Sequence, residues 1–126
     1  MTGKAKKGQG IKMAEEILYS GKAFRKFKEI IKAQGGNLKK LKKAEFTHDI
    51  RAKKSGKIIG IDNKKINSLA RQAGCPLDKF AGIYLHVYVG DRIKKGDTII
   101  TIHAEALPRL NHAVRYYKKI KPIKIK

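Results

Sequence analysis

Few side chains in this sequence are equipped for chemistry: four histidines, one cysteine and ten carboxylates stand among 31 lysines and arginines. His48, His86, His103 and His112 raise the question of a metal. No pair has the short helix or turn spacing of a zinc site, and Cys75 alone is too few for a thiolate site. His86 and His103 fall on adjacent predicted strands, where geometry alone sets polar residues opposite one another, so a cross-strand polar pair is expected. Cys75 follows a predicted helix C-terminus, whose negative end raises a thiol pKa, and it has no evident activating partner, so it is not read as a nucleophile. Asp62, Asp78, Asp91 and Asp97 occupy turn or cap positions, the ordinary place for aspartate. No two carboxylates have a spacing that speaks for acid/base work. Tyr84 and Tyr88, on an outward face near Lys94 and Lys95, could stack on bases; packing against a neighbouring domain is the favoured reading, because exposed aromatics mark interfaces. No catalytic, cofactor-binding or metal-ligating residue is assigned, and no cofactor is implied.

The elements that would position these groups centre on the stretch from Gly74 to Ala104. Ile83, Leu85, Val87 and Val89 alternate with Tyr84, His86 and Tyr88, a period of two that predicts one aliphatic face and one aromatic-polar face. Gly90-Asp91 turns the chain, because glycine takes positive φ and aspartate bonds nearby backbone. Gly96-Asp97 repeats the device before a second strand, Thr98 to Ala104, with Ile100 and Ile102 on one face. V-G-D-x-x-K-K-G-D-x-I thus predicts two strands bent around a charged corner.

The flanks read as follows. Residues 1–10 form a Gly/Lys segment without the preceding strand or the Walker pattern of a phosphate loop, so Lys4, Lys6 and Lys7 are read as part of an exposed connector. Met13, Ile17 and Leu18 give one helical apolar stripe, and Phe24, Phe27, Ile30 and Ile31 a second. Ser20 is expected to cap the second helix, with Gly21 easing the break and Gly35-Gly36 ending it. Two such helices cannot bury both stripes by themselves. Asn37 to Lys43 is a basic linker and the expected boundary between residues 1–42 and 43–126. Phe46, His48 and Ile50 alternate as a strand, Lys53 to Gly56 turn, and Lys57 to Ile61 form the next strand. Asp62 or Asn63 caps a helix carrying Ile66, Leu69, Ala70 and Ala73, stopped by Gly74 and Pro76. Pro108 suits the first turn of a last helix with Leu107, Leu110, Val114 and Tyr117 on its apolar face. Ile123 and Ile125 close with a short strand. The class expected is α+β, a short helical segment followed by a β-rich barrel-sandwich or hammerhead-like domain with two helices.

A length of 126 residues leaves room for one domain, or one domain plus an appendage, and 41% apolar content supports a core, not disorder. A single cysteine fits a reducing compartment. No apolar run nears the ~18–20 residues of a membrane span, and no signal peptide is visible. A cytoplasmic location without membrane association is therefore expected. The net charge of +21 suggests attraction to polyanions such as nucleic acid, or to anionic substrates. A lysine- and isoleucine-rich composition also reads as a thermophile surface.

The residues quoted above carry a resemblance. GIDN at Gly60 to Asn63, Ile66, Leu69-Ala70, Gly74, Pro76, Asp78-Lys79, Ala81-Gly82-Ile83, His86, Val89-Gly90-Asp91, Lys95-Gly96-Asp97 and Ile102-His103-Ala104 resemble the C-terminal domain of the class II nucleoside phosphorylases. That family holds the thymidine and pyrimidine-nucleoside phosphorylases, and its archaeal AMP phosphorylase branch is closest in wording. Ala14 to Gly36 resembles the segment just before that domain, the end of the preceding α/β catalytic domain. The resemblance implies a fragment of a phosphorolytic glycosyltransferase of nucleotide metabolism, which displaces a base from a nucleoside or nucleoside monophosphate with orthophosphate. Its phosphate loops and base-binding residues lie upstream of the matching part, so none is carried over. The fragment alone is expected to be inactive. Its implied partners are the remaining α and α/β domains, where phosphate and nucleotide bind, and a second copy in a homo-oligomer. Two other classes compete. A free-standing basic nucleic-acid-binding module accounts for the charge but lacks the aromatic-basic ribonucleoprotein motif. A biotinyl- or lipoyl-type carrier shares the Gly-Asp turn but needs a Met-Lys-Met triplet, which is absent.

Overall fold

The computed structural model describes residue 6 and residues 8–38 and 43–126. The chain divides into two compact units, Met1–Leu41 and Lys42–Lys126. Lys4 and Lys7 of the basic connector, and residues 39–42 of the basic linker, lie outside the described residues. Lys6 is exposed.

The first unit is a helical pair, α1 (Gly10–Tyr19) and α2 (Lys22–Ala33). The break between them is made by Gly21 at φ 74°, the residue that precedes α2. Ser20 ends α1 and does not cap α2: its hydroxyl donates back to the Ile17 carbonyl at 3.3 Å. Gly21 can take a left-handed φ without the cost of a Cβ, so the turn falls one residue later than the expected serine cap. Neither helix buries a residue. Ile11, Leu18, Phe24 and Phe27 are all at least half exposed, so the two apolar stripes remain open, as their length and spacing imply.

The second unit is α+β. Its elements are β1 (Phe46–Arg51), β2 (Gly56–Ile61), α3 (Asn63–Ala73), β3 (Gly82–Leu85), β4 (Arg92–Ile93), β5 (Thr98–Ala104), α4 (Leu107–Ile120) and β6 (Ile123–Ile125). They form two three-stranded antiparallel sheets, ordered β1-β5-β3 and β4-β2-β6. β5 is central because it is the most apolar strand: Ile99, Ile100, Ile102 and Ala104 are all buried. α3 and α4 pack on each other and against the first sheet through Leu69, Ala73, Leu110 and Ala113. Ile58 of β2 and Ile93 of β4 bring the second sheet into the same core. All the buried apolar residues of the described chain lie in this unit.

Local chemistry sets the ends of these elements. Asp62 caps α3, its Oδ1 accepting from the Lys65 N–H at 3.0 Å. Buried Gly74 ends α3 at φ 126°, and a Cβ there would collide with the Asp78 carboxylate, which Arg109 holds in place. Pro108 lies in the first turn of α4, as expected. Leu107 is about half exposed, so it does not share the buried face of Leu110.

The corner after β3 differs in detail from the two-strand expectation. β3 ends at Leu85, although the His86 N–H still donates to the Ile99 carbonyl at 3.1 Å. Val87 is buried but Val89 is 62% exposed, outside the aliphatic face expected for it. The cause is the turn over Tyr88–Asp91, which lifts Val89 off the sheet: the Asp91 N–H donates to the Tyr88 carbonyl and the Gly90 N–H to the Ile58 carbonyl. The chain then crosses to the other sheet, where β4 pairs with β2, and a second turn at Lys94–Asp97 returns it to β5.

Candidate functional site

The side chains singled out for chemistry are mostly dispersed. His86 and His103 do not pair. In the β3–β5 register His103 lies opposite Gly82, while His86 follows Leu85, the partner of Ile100. The aspartates serve structure. Asp91 Oδ2 accepts from the Tyr88 N–H and Asp97 Oδ2 from the Lys94 N–H, each at 2.7 Å, so both carboxylates clamp their own turns. Asp78 pairs with Arg109. Cys75 Sγ contacts the Ala81 carbonyl oxygen at 2.9 Å, the place of a thiol donor. Among the described residues no group of three or more His, Cys, Asp or Glu could hold a metal ion.

One hydrogen-bonded chain was not anticipated. His86 Nε2 lies 2.8 Å from Thr101 Oγ1, and Thr101 Oγ1 donates to Asp49 Oδ1 at 2.6 Å. The hydroxyl has one proton, which it gives to the carboxylate, so Nε2 donates and His86 carries its hydrogen there. Arg51 continues the line, 3.9 Å from Asp49. Tyr84 stands edge-on to the His86 ring, with centroids 4.7 Å apart, and Tyr84 and Tyr88 are 60% and 74% exposed. These groups share the outer face of the first sheet because Asp49, Thr101 and Tyr84 are aligned by the β1–β5–β3 register. The sequence signal was the outward alternation on each strand; their union required the register. Here the threonine proton faces the carboxylate and the histidine acts as donor, which orders a polar face and does not activate the hydroxyl toward a substrate.

Among the described residues, two groups titrate away from their ordinary ranges, for local reasons. Burial raises the Tyr117 phenol on α4, and the hydrogen bond from Lys26 lowers the Glu29 carboxyl on α2. Neither joins another reactive group. Two small clefts are lined in part by basic residues. One of about 390 Å³ lies between Ser55, Gly56, Lys57, Arg92, Ile93 and Lys126, and one of about 300 Å³ between β2, β6 and Lys65.

In this α+β unit of two small sheets, Asp62 caps α3, Asp91 and Asp97 close turns, and Asp78 pairs with Arg109. Residues 57–124 match the family described as the pyrimidine nucleoside phosphorylase C-terminal domain, and the chain belongs to that family. It is 50% identical to the AMP phosphorylase of Pyrococcus horikoshii, covering 99% of this chain and 26% of that protein. It is 47% identical to the AMP phosphorylase of Methanococcus aeolicus, over 98% of this chain and 25% of the relative. A putative thymidine phosphorylase of Legionella pneumophila is 47% identical over 87% of this chain and 21% of its own length. The chain thus spans about a quarter of the length of the curated relatives it matches. The GIDN, V-G-D and K-G-D groups all fall inside the matched residues. No helix among the described residues is long and apolar enough to cross a membrane.

Proposed function

We propose that this chain serves as the C-terminal part of a phosphorolytic glycosyltransferase of the AMP phosphorylase type. In that reaction orthophosphate displaces adenine from AMP and leaves ribose 1,5-bisphosphate. Identity of 50% across 99% of the chain, to a quarter of an AMP phosphorylase, carries this reading. The open apolar stripes of α1 and α2 support it, because they need partners of their own kind. In this reading residues 1–42 close the preceding α/β catalytic domain and residues 43–126 form the C-terminal domain. Phosphate and nucleotide bind in the remaining domains, and the domain described here supports packing, closure or homo-oligomer assembly in the cytoplasm.

The test joins this chain to the upstream three quarters of the Pyrococcus horikoshii AMP phosphorylase and assays adenine release from AMP in phosphate. Release comparable to the parent enzyme is expected, together with its loss when residues 43–126 are removed. The 126-residue chain alone is expected to release no base from AMP, CMP, uridine or thymidine. Phosphorolysis by the chain alone, or an inactive but folded hybrid, would refute the proposal.

A further inference from the structure

One end of the second unit concentrates exposed positive charge. The turn 52–57 and the segment 92–97 lie side by side. Ala52 N–H donates to the Asp97 carbonyl, Gly96 N–H to the Ala52 carbonyl, and Lys95 N–H to Ser55 Oγ. These twelve residues hold six cations, Lys53, Lys54, Lys57, Arg92, Lys94 and Lys95, and one acid, Asp97. All six cations are exposed, and none takes part in any salt bridge found among the described residues. Asp97 is already committed to the Lys94 N–H.

One observation separates this end from the rest of the lysine-rich surface. Lys57 is directly opposite Arg92 in the β2–β4 pairing. Like charges placed opposite across strands destabilise a sheet, and an anion between them reverses that sign. The cleft of about 390 Å³ opens at this pair and is lined also by Ser55, Gly56, Ile93 and Lys126, whose main-chain oxygen accepts from the Lys57 N–H.

We infer that this pole binds the phosphodiester backbone of a nucleic acid, without reading its bases. A run of cations favours this over a single phosphate: Arg92, Lys94 and Lys95 follow one another on one segment, beside Lys53, Lys54 and Lys57 on the other. Lysine dominates the cluster, which suits point-charge contact to backbone phosphates, whereas base readout leans on bidentate arginine. The inference goes beyond the phosphorylase reading and does not depend on it.

The experiment uses the full 126-residue chain and labelled oligomers of thymidylate and of mixed sequence. Binding is titrated by fluorescence anisotropy between ~50 and ~200 mM salt. The unaltered protein is also treated with a lysine-acetylating reagent, with and without the oligomer, and each site is read by mass spectrometry. Protection is expected at Lys53, Lys54, Lys57, Lys94 and Lys95, while Lys118 and Lys119 on α4 stay reactive. The quadruple variant Lys57→Gln/Arg92→Gln/Lys94→Gln/Lys95→Gln should bind roughly tenfold or more weakly, and lower the log–log salt slope by about 3. Lys64→Gln/Arg71→Gln/Lys118→Gln/Lys119→Gln, with the same charge change on the helices, should bind nearly as well as the unaltered chain. Uniform acetylation protection, equal losses in both variants, or no binding at all would overturn the inference. So would displacement by inorganic phosphate at matched phosphate concentration, which would mark the pole as a site for small anions. The acetylation readout needs no variant, so misfolding of the quadruple variant leaves the test intact.

Discussion

Gly90 and Gly96 are the third residues of two matching turns, at φ 105° and 97°, and each is followed by an aspartate that accepts from the turn's first N–H. Positive φ at that position is what a type II turn requires. Open space surrounds both sites, since a Cβ at either would have no atom within 4 Å. The strain of a substitution is therefore purely conformational. Gly90→Val or Gly96→Val should cost on the order of 1–3 kcal/mol, measured by urea unfolding; a change within ~0.5 kcal/mol would show that β geometry is available there. These turns were legible in the sequence because glycine and aspartate act on their immediate neighbours. Gly74 was legible only in part. Its role as a helix stop follows from position, but its crowding by Asp78 and Arg109 depends on a residue on α4, 35 positions away by the numbering. The His86–Thr101–Asp49 chain was invisible for the same reason: it exists only once β1, β5 and β3 are in register. Ser20 shows the opposite failure, where a good capping residue lost to a neighbouring glycine better suited to the turn.

At the scale of elements, the second unit holds the whole buried core, from Ile50 to Ala113. Period-two and period-four patterns located its strands and helices, because burial on one face imposes those periods. They did not disclose that β4 leaves the first sheet to pair with β2, since a two-residue strand carries no periodicity of its own. A polypeptide of residues 43–126 should therefore melt in a single cooperative transition without α1 and α2. The core cluster makes no use of either helix, and a unit of this size lies within the range of small domains that fold alone. A sloping, non-cooperative melt followed by calorimetry would show that the helical pair contributes to this core. Either result leaves the family membership untouched, but a non-cooperative melt would move the domain boundary proposed at the linker.

At the scale of the whole molecule, the charge decides between two accounts of stability. If the lysine surface were a thermophile ion-pair network, salt would screen attraction and lower the melting temperature. The described residues hold four salt bridges, most of them well exposed, and exposed pairs contribute about 0–1 kcal/mol each. Against them stands a net charge of +21, whose self-repulsion destabilises the compact state. Repulsion should win. The melting temperature of the full chain should rise as sodium chloride goes from ~10 mM to ~1 M, over which the screening length falls from about 30 Å to about 3 Å. Neutralising the pole should act in the same direction: Lys53→Gln/Lys54→Gln/Lys94→Gln/Lys95→Gln should melt higher than the unaltered chain at low salt, with the difference closing at high salt. Calorimetry across the salt series measures both effects. A melting temperature that falls with salt, or a variant that melts lower at every concentration, would show that the lysines attract more than they repel, and would return the pole to an ordinary stabilising surface.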